Sequence, residues 1–125
     1  MNFIDEALHT CHDGEELVQA LADIYKHPDV RNKLNDYPEW INDIIAIIDY
    51  DTDLQMEGLD FKTYEREIKA LNNMGIVEEA RVLSPISAAS SDKEVEDCYS
   101  KLALNNDYDE FWNSVYSFAD KNLKK

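Results

Sequence analysis

The stretch Glu39-Trp40-Ile41-Asn42-Asp43-Ile44-Ile45-Ala46-Ile47-Ile48-Asp49 decides the fold. Its large apolar residues, Trp40, Ile41, Ile44, Ile45, Ile47 and Ile48, recur at three- and four-residue spacings rather than alternating, which is the period of an α-helix. The stripe they form is too wide for a helix with one wet face, so the segment belongs at the centre of a bundle. Pro38 suits the first turn of that helix, where its missing N–H costs nothing.

Outward from this centre the same period continues. A first helix is predicted over Asn2 to His12, closed by Asp13-Gly14, and a second from Glu15 to about Lys26, stopped by Pro28. Leu17, Leu21 and Ile24 share one side of the second; Val30 and Leu34 then mark a short helix or turn. Asp49 to Asp60 reads as an acidic interhelical loop. Phe61, Tyr64, Ile68 and Leu71 mark a helix ending at Gly75 in a left-handed cap. Ile76, Val77, Ala80 and Leu83 begin another, interrupted by Pro85, and the serine-rich 84–91 segment reads as a flexible loop. Ser91 and Glu94 have the spacing of a capping box, opening a helix through Cys98, Tyr99 and Leu102. Asp107 to Glu110 form the acidic start of a last helix lined by Phe111, Trp112, Val115, Tyr116, Ala119 and Leu123. Trp40, Phe61 and Phe111 are expected in the core. The fold expected is all-α: one domain over residues 1–125, a single compact bundle of about six or seven helices.

Charge narrows the function. Twenty-seven Asp and Glu oppose twelve Lys and Arg, for a net charge of -15 in 125 residues. Such a surface repels phosphate backbones and anionic lipid, so neither nucleic acid nor a membrane is expected as partner. The N-terminus lacks the basic start of a signal peptide, and the run Ile44 to Ile48 is too short to span a bilayer. Two cysteines, Cys11 and Cys98, make no disulfide framework; the chain reads as cytoplasmic.

No catalytic constellation emerges, and no metal or cofactor is expected. Asp49, Asp51, Asp53, Glu57 and Asp60 fall at positions 1, 3, 5, 9 and 12 of a twelve-residue calcium loop, but Leu54 stands where the sharp turn requires glycine. His9 and His12 share a helix face without further ligands, and a zinc ion needs three or four. Adjacent Cys11 and His12 cannot face each other on a helix.

The acids are unevenly placed. Met1 to Tyr25 holds six and no Lys or Arg; Asp36 to Asp60 holds eight and again none. The second block supplies the candidate partner-binding residues: Asp49, Asp51, Asp53, Glu57 and Asp60, with Asp36, Glu39 and Asp43 secondary. Tyr25, Tyr37, Tyr50 and Tyr108 stand beside acids, a mixture found on protein-binding faces.

Tyr50-Asp-Thr-Asp-Leu-Gln-Met-Glu-Gly-Leu-Asp-Phe61, with Ile68-Lys-Ala-Leu-Asn-Asn-Met-Gly75 and Glu79-Ala-Arg-Val-Leu83, resembles a bacterial family of helical domains of unknown function. The best-known member of that family is an acidic DNA-mimic protein. The family often shows a double glycine in the loop, where this chain has Glu57-Gly58 followed by Leu59. The resemblance implies an α-helical fold, a negative surface that imitates DNA toward a DNA-binding protein, and no catalytic residues. The function expected is therefore a non-enzymatic acidic protein that binds a basic protein partner, as a DNA mimic or as an immunity-type inhibitor of a nuclease toxin. Two alternatives are a metal-dependent hydrolase using the Asp49–Asp60 carboxylates and a structural subunit whose acidity serves solubility. The oligomeric state is open, a dimer included.

Overall fold

The computed structural model describes residues 2–124. Among them every regular element is helical: α1 (Phe3–Thr10), α2 (Gly14–Leu21), α3 (Pro28–Arg31), α4 (Glu39–Glu57), α5 (Glu65–Asn73), α6 (Val77–Leu83), α7 (Asp92–Lys101), α8 (Ala103–Asn106) and α9 (Tyr108–Leu123), with 3-10 turns at Ala22–Lys26 and Leu34–Asp36. Nine helices exceed the six or seven expected. Two of the additions, α3 and α8, are single four-residue turns too short to show a period.

Helix α4 occupies the centre, and Ile41, Ile44, Ile45, Ala46, Ile47 and Ile48 are all buried. At roughly 1.5–3 kcal/mol for each large side chain removed from water, this stretch makes a major apolar contribution to the fold. The helix does not stop at Asp49. It runs on to Glu57, carried by Tyr50 and Leu54, both buried, and ends at Gly58 with φ 77°. The expected acidic loop is therefore largely helix. Its wet face holds the carboxylates, and its dry face continues the stripe from Ile47 to Tyr50 and Leu54 at three- and four-residue spacings.

Other ends follow local chemistry. Asn2 and Asp5 form a reciprocal capping box on α1, and the Tyr37 hydroxyl donates to Asn2 Oδ1 at 2.9 Å, tying the second 3-10 turn to that end. Ser91 and Glu94 form the predicted capping box on α7. Gly75, φ 80°, closes α5, with the Ile76 amide reaching back to the Leu71 carbonyl at 2.9 Å. The 84–91 segment is pinned by buried Ile86 and by hydrogen bonds between Ser87 and Ser90. Cys98 is a buried core residue whose thiol donates to the Val82 carbonyl.

Three expectations shift. The second helix becomes regular α2 followed by a tighter 3-10 turn. Phe61 is 46% exposed rather than buried, because α5 begins only at Glu65 and Tyr64 takes the inner position. His12 lies past the end of α1, so it shares no helix face with His9.

Gly14 sets the contact between α2 and α9. A Cβ there would lie 2.0 Å from the Tyr116 carbonyl oxygen and 2.5 Å from the Asp120 amide nitrogen. The Gly14 amide instead donates to Asp120 Oδ1 at 3.1 Å, so α9 supplies an acceptor for the first turn of α2. Asp13 supplies another, accepting from Glu16 N at 2.9 Å.

Candidate functional site

A concavity of about 690 Å³ lies where α2, the first 3-10 turn, α4 and α9 meet. Val18 and Ile48 contribute apolar lining. Three carboxylates line it, Glu15 from α2, Asp51 from α4 and Asp109 from α9, and among the described residues no Lys or Arg does. Four aromatic residues complete it: Tyr25, Tyr108, Trp112 and Tyr116. The last three sit at a four-residue spacing on α9 and so share one face. Tyr108 meets Trp112 edge-on at 6.4 Å between ring centroids, and Trp112 meets Tyr116 at 6.1 Å.

Asp51 is the central acid. It accepts from the Tyr108 hydroxyl at 3.0 Å and from Gln55 Nε2 at 3.4 Å. Burial pushes its carboxyl above the ordinary aspartate value, and the two neutral donors only partly oppose this. Tyr116 is raised by burial and then by the charges of Glu15, Asp109 and Asp51. Tyr108 is raised by burial and by Asp51.

Trp112 is 8% exposed, and its indole Nε1 has no hydrogen-bond partner among the described residues. An unsatisfied buried donor costs about 1–3 kcal/mol.

Of the eight acids singled out in the sequence, Asp51 alone lines this cleft. Asp49 is committed internally, its side chain 15% exposed. It takes both Arg31 guanidinium nitrogens, at 2.9 and 3.0 Å, together with Arg66 at 3.1 Å and the Tyr25 hydroxyl. Burial works against its charge, but the bonds from Arg31, Tyr25 and Arg66 outweigh that and hold the carboxyl below the ordinary value. Asp43 is 7% exposed and accepts from Asn73 Nδ2 at 3.0 Å; burial raises it. Glu39 is exposed and paired with Lys69 at 2.9 Å, which lowers it. Asp36 is exposed beside a shallow hollow with Lys33 and Tyr37. Asp53, Glu57 and Asp60 are exposed and make no ion pair among the described residues.

The helical course of residues 49–57 also removes the calcium-loop geometry, since alternate carboxylates project to opposite sides of the axis. Among the described residues no three His, Cys, Asp or Glu converge as metal ligands, and no helix is long and apolar enough to cross a membrane.

Tyr25 and Tyr108, two of the tyrosines read beside acids in the sequence, line the cleft, whereas Glu15, Asp109, Trp112 and Tyr116 belong to it although the sequence singled out none of them as a site. The four-residue spacing was the available signal for the aromatics; the carboxylates had none, because they meet only through packing of three separated helices. Glu79, 2% exposed, is likewise invisible from sequence. Its carboxylate accepts from the Tyr50 hydroxyl at 3.0 Å and from the Ala103 amide at 2.7 Å, capping α8 from α6. Burial raises both Glu79 and Tyr50.

No protein-family model matches this chain, nor does any curated protein or solved structure.

Proposed function

We propose that this chain is a non-enzymatic acidic binding protein that engages a basic protein partner, of the DNA-mimic or nuclease-inhibitor type. The observation that carries the reading is the cleft whose lining holds Glu15, Asp51 and Asp109 among four aromatic residues and, among the described residues, no Lys or Arg. Aromatic residues surrounded by uncompensated carboxylates suit a partner that brings its own Lys or Arg. The net charge of -15 adds long-range steering, which speeds association and makes it salt-sensitive. Asp53, Glu57 and Asp60 extend the negative surface beyond the cleft along α4 and the loop after it.

Affinity capture from native lysate at low and high salt tests this. The expected result is a basic protein retained at low salt, released at high salt, and lost from an Asp51→Lys/Asp109→Lys double variant whose helical content is unchanged. Reversal at Asp51 and Asp53 should also weaken capture. Retention that ignores both salt and charge reversal would sink the reading. The two versions differ in readout: a DNA mimic competes its partner off duplex DNA, whereas an immunity-type inhibitor suppresses cleavage by a nuclease.

A further inference from the structure

The cleft carries two needs at once. Its three carboxylates line one concavity to which no described Lys or Arg contributes, and one wall holds a buried indole N–H without an acceptor among the described residues. A bare cation such as an ammonium ion would meet the first need and leave the second. A peptide segment can meet both, because a basic side chain and a backbone carbonyl arrive together.

The kind of basic side chain is indicated next door. Arg31 of the same chain lies over the Tyr25 ring, 5.5 Å from its centroid, while its two terminal nitrogens grip Asp49. Tyr25 also lines the cleft. The molecule thus already holds one guanidinium by a tyrosine face and an aspartate at the cleft's edge. Asp51 with Tyr108 and Tyr116 repeats those chemical types inside it, with no guanidinium supplied. A planar guanidinium stacks on aromatic rings and takes carboxylates two bonds at a time, which a lysine ammonium does not. The volume, about 690 Å³, falls within the roughly 300–1,000 Å³ range of ligand clefts and leaves room for the backbone beside the side chain.

We propose that the cleft is a receptor for one arginine of the partner, with the guanidinium on Asp51 between the tyrosine rings and the adjoining peptide carbonyl accepting from Trp112 Nε1. This rests on the basic-partner reading and names what that partner inserts. Tyr108 is the movable piece. It is half exposed, its hydroxyl donates to Asp51 and its ring meets Trp112 edge-on, so a guanidinium that takes Asp51 displaces it and uncovers the indole.

The test is a titration of the full ¹⁵N-labelled chain with N-acetyl-arginine methylamide, followed by the indole N–H resonances. The chain has two tryptophans, and Trp40, outside the cleft, is the internal control. Expected is a saturable shift of the Trp112 indole signal at millimolar probe, Trp40 unmoved, with the uncharged N-acetyl-citrulline methylamide inert. The lysine analogue should bind about tenfold more weakly. Asp51→Asn and Tyr116→Ala should each weaken the arginine probe about tenfold, with the melting temperature recorded to confirm folding. No saturable Trp112 shift, or equal response to citrulline, overturns the proposal. Capture of a basic protein with the Trp112 signal unmoved by the arginine probe would overturn the receptor and leave the wider reading standing. Arginine binding without any captured basic protein would support the receptor and remove the wider reading.

Discussion

Replacing Gly14 by alanine probes the joint on which the cleft is built. Helices α2 and α9 both line the cleft, and Gly14 is where their backbones touch. The added Cβ would sit 2.0 Å from the Tyr116 carbonyl oxygen, about 1.4 Å short of ordinary contact, and 2.5 Å from the Asp120 nitrogen. Both obstacles are backbone, so no side chain can swing aside. Forcing extra volume into a packed contact costs about 1–3 kcal/mol, and more where backbone must move. Separating the helices also stretches the Gly14 N–H bond to Asp120, worth about 1 kcal/mol more. Alanine's better helix propensity returns about 0.5–1 kcal/mol. The net loss is about 3 kcal/mol out of a total stability of about 5–15 kcal/mol. For a chain of this size that is a fall in Tm of about 10–15 °C. Thermal unfolding by circular dichroism reads it directly, with Gly75→Ala as comparison. At Gly75 nothing lies within 4 Å, so only the left-handed φ of 80° is penalised, by about 1–2 kcal/mol. A Gly14→Ala protein melting within about 2 °C of wild type would refute the close approach.

Glu79→Ala should cost about 3 kcal/mol, because the Tyr50 hydroxyl and the Ala103 amide lose their buried acceptor; Glu79→Gln, which keeps a carbonyl, should cost less in a chemical denaturation series. Since burial raises the folded pKa of Glu79, its contribution is fullest below the unfolded value and declines as pH rises through the folded one. The gap between wild type and Glu79→Gln should therefore narrow as pH rises above the ordinary glutamate range. Asp49→Asn has the opposite sign: its lowered pKa gives stability present above the unfolded value and lost as pH falls through the folded one. That variant should be about 2 kcal/mol less stable at neutral pH and converge on wild type in acid, as followed by melting at several pH values. Finally, a net charge of -15 predicts a Tm that rises with added sodium chloride between about 20 and 300 mM, and a flat response would show the charge is locally compensated.

What the sequence made legible was local. The Ser91–Glu94 box, the Gly75 cap and the isoleucine stripe of α4 each depend on neighbours within four residues, and each forms as the spacing implies. The second half of α4 was hidden because its apolar density drops to Tyr50 and Leu54 while acids crowd the wet face. Propensity alone does not end a helix at an aspartate, and here packing against α5 and α9 carries it onward. Phe61 misled for the reverse reason: an aromatic at the right spacing lies outside the helix it was thought to begin. The cleft was largely illegible, since Glu15, Asp51 and Asp109 are brought together by packing of α2, α4 and α9. Glu79 shows the limit most sharply. Nothing beside it in the sequence marks it among the other acids, yet it caps a helix that starts at Ala103.

The opposite fates of Asp49 and Asp51 follow from one geometric fact. In a loop, two aspartates one residue apart can be bent toward the same ion or partner. On a helix they lie about 200° apart around the axis, so they must look toward different neighbours. Asp49 faces Arg31 and Arg66 and has its charge matched from within, which lowers its pKa. Asp51 faces the cleft, where Tyr108 and Gln55 are its neutral donors, and its pKa is raised. The base-free block in the sequence is thus two populations. One has borrowed cations from α3 and α5 to fasten the fold and hold Tyr25 in place; the other has been left without any. A carboxylate that is half buried and unmatched is costly in the free protein, and a cation brought by a partner removes that cost on binding. It is the unmatched residue, rather than the density of acid around it, that singles out the cleft.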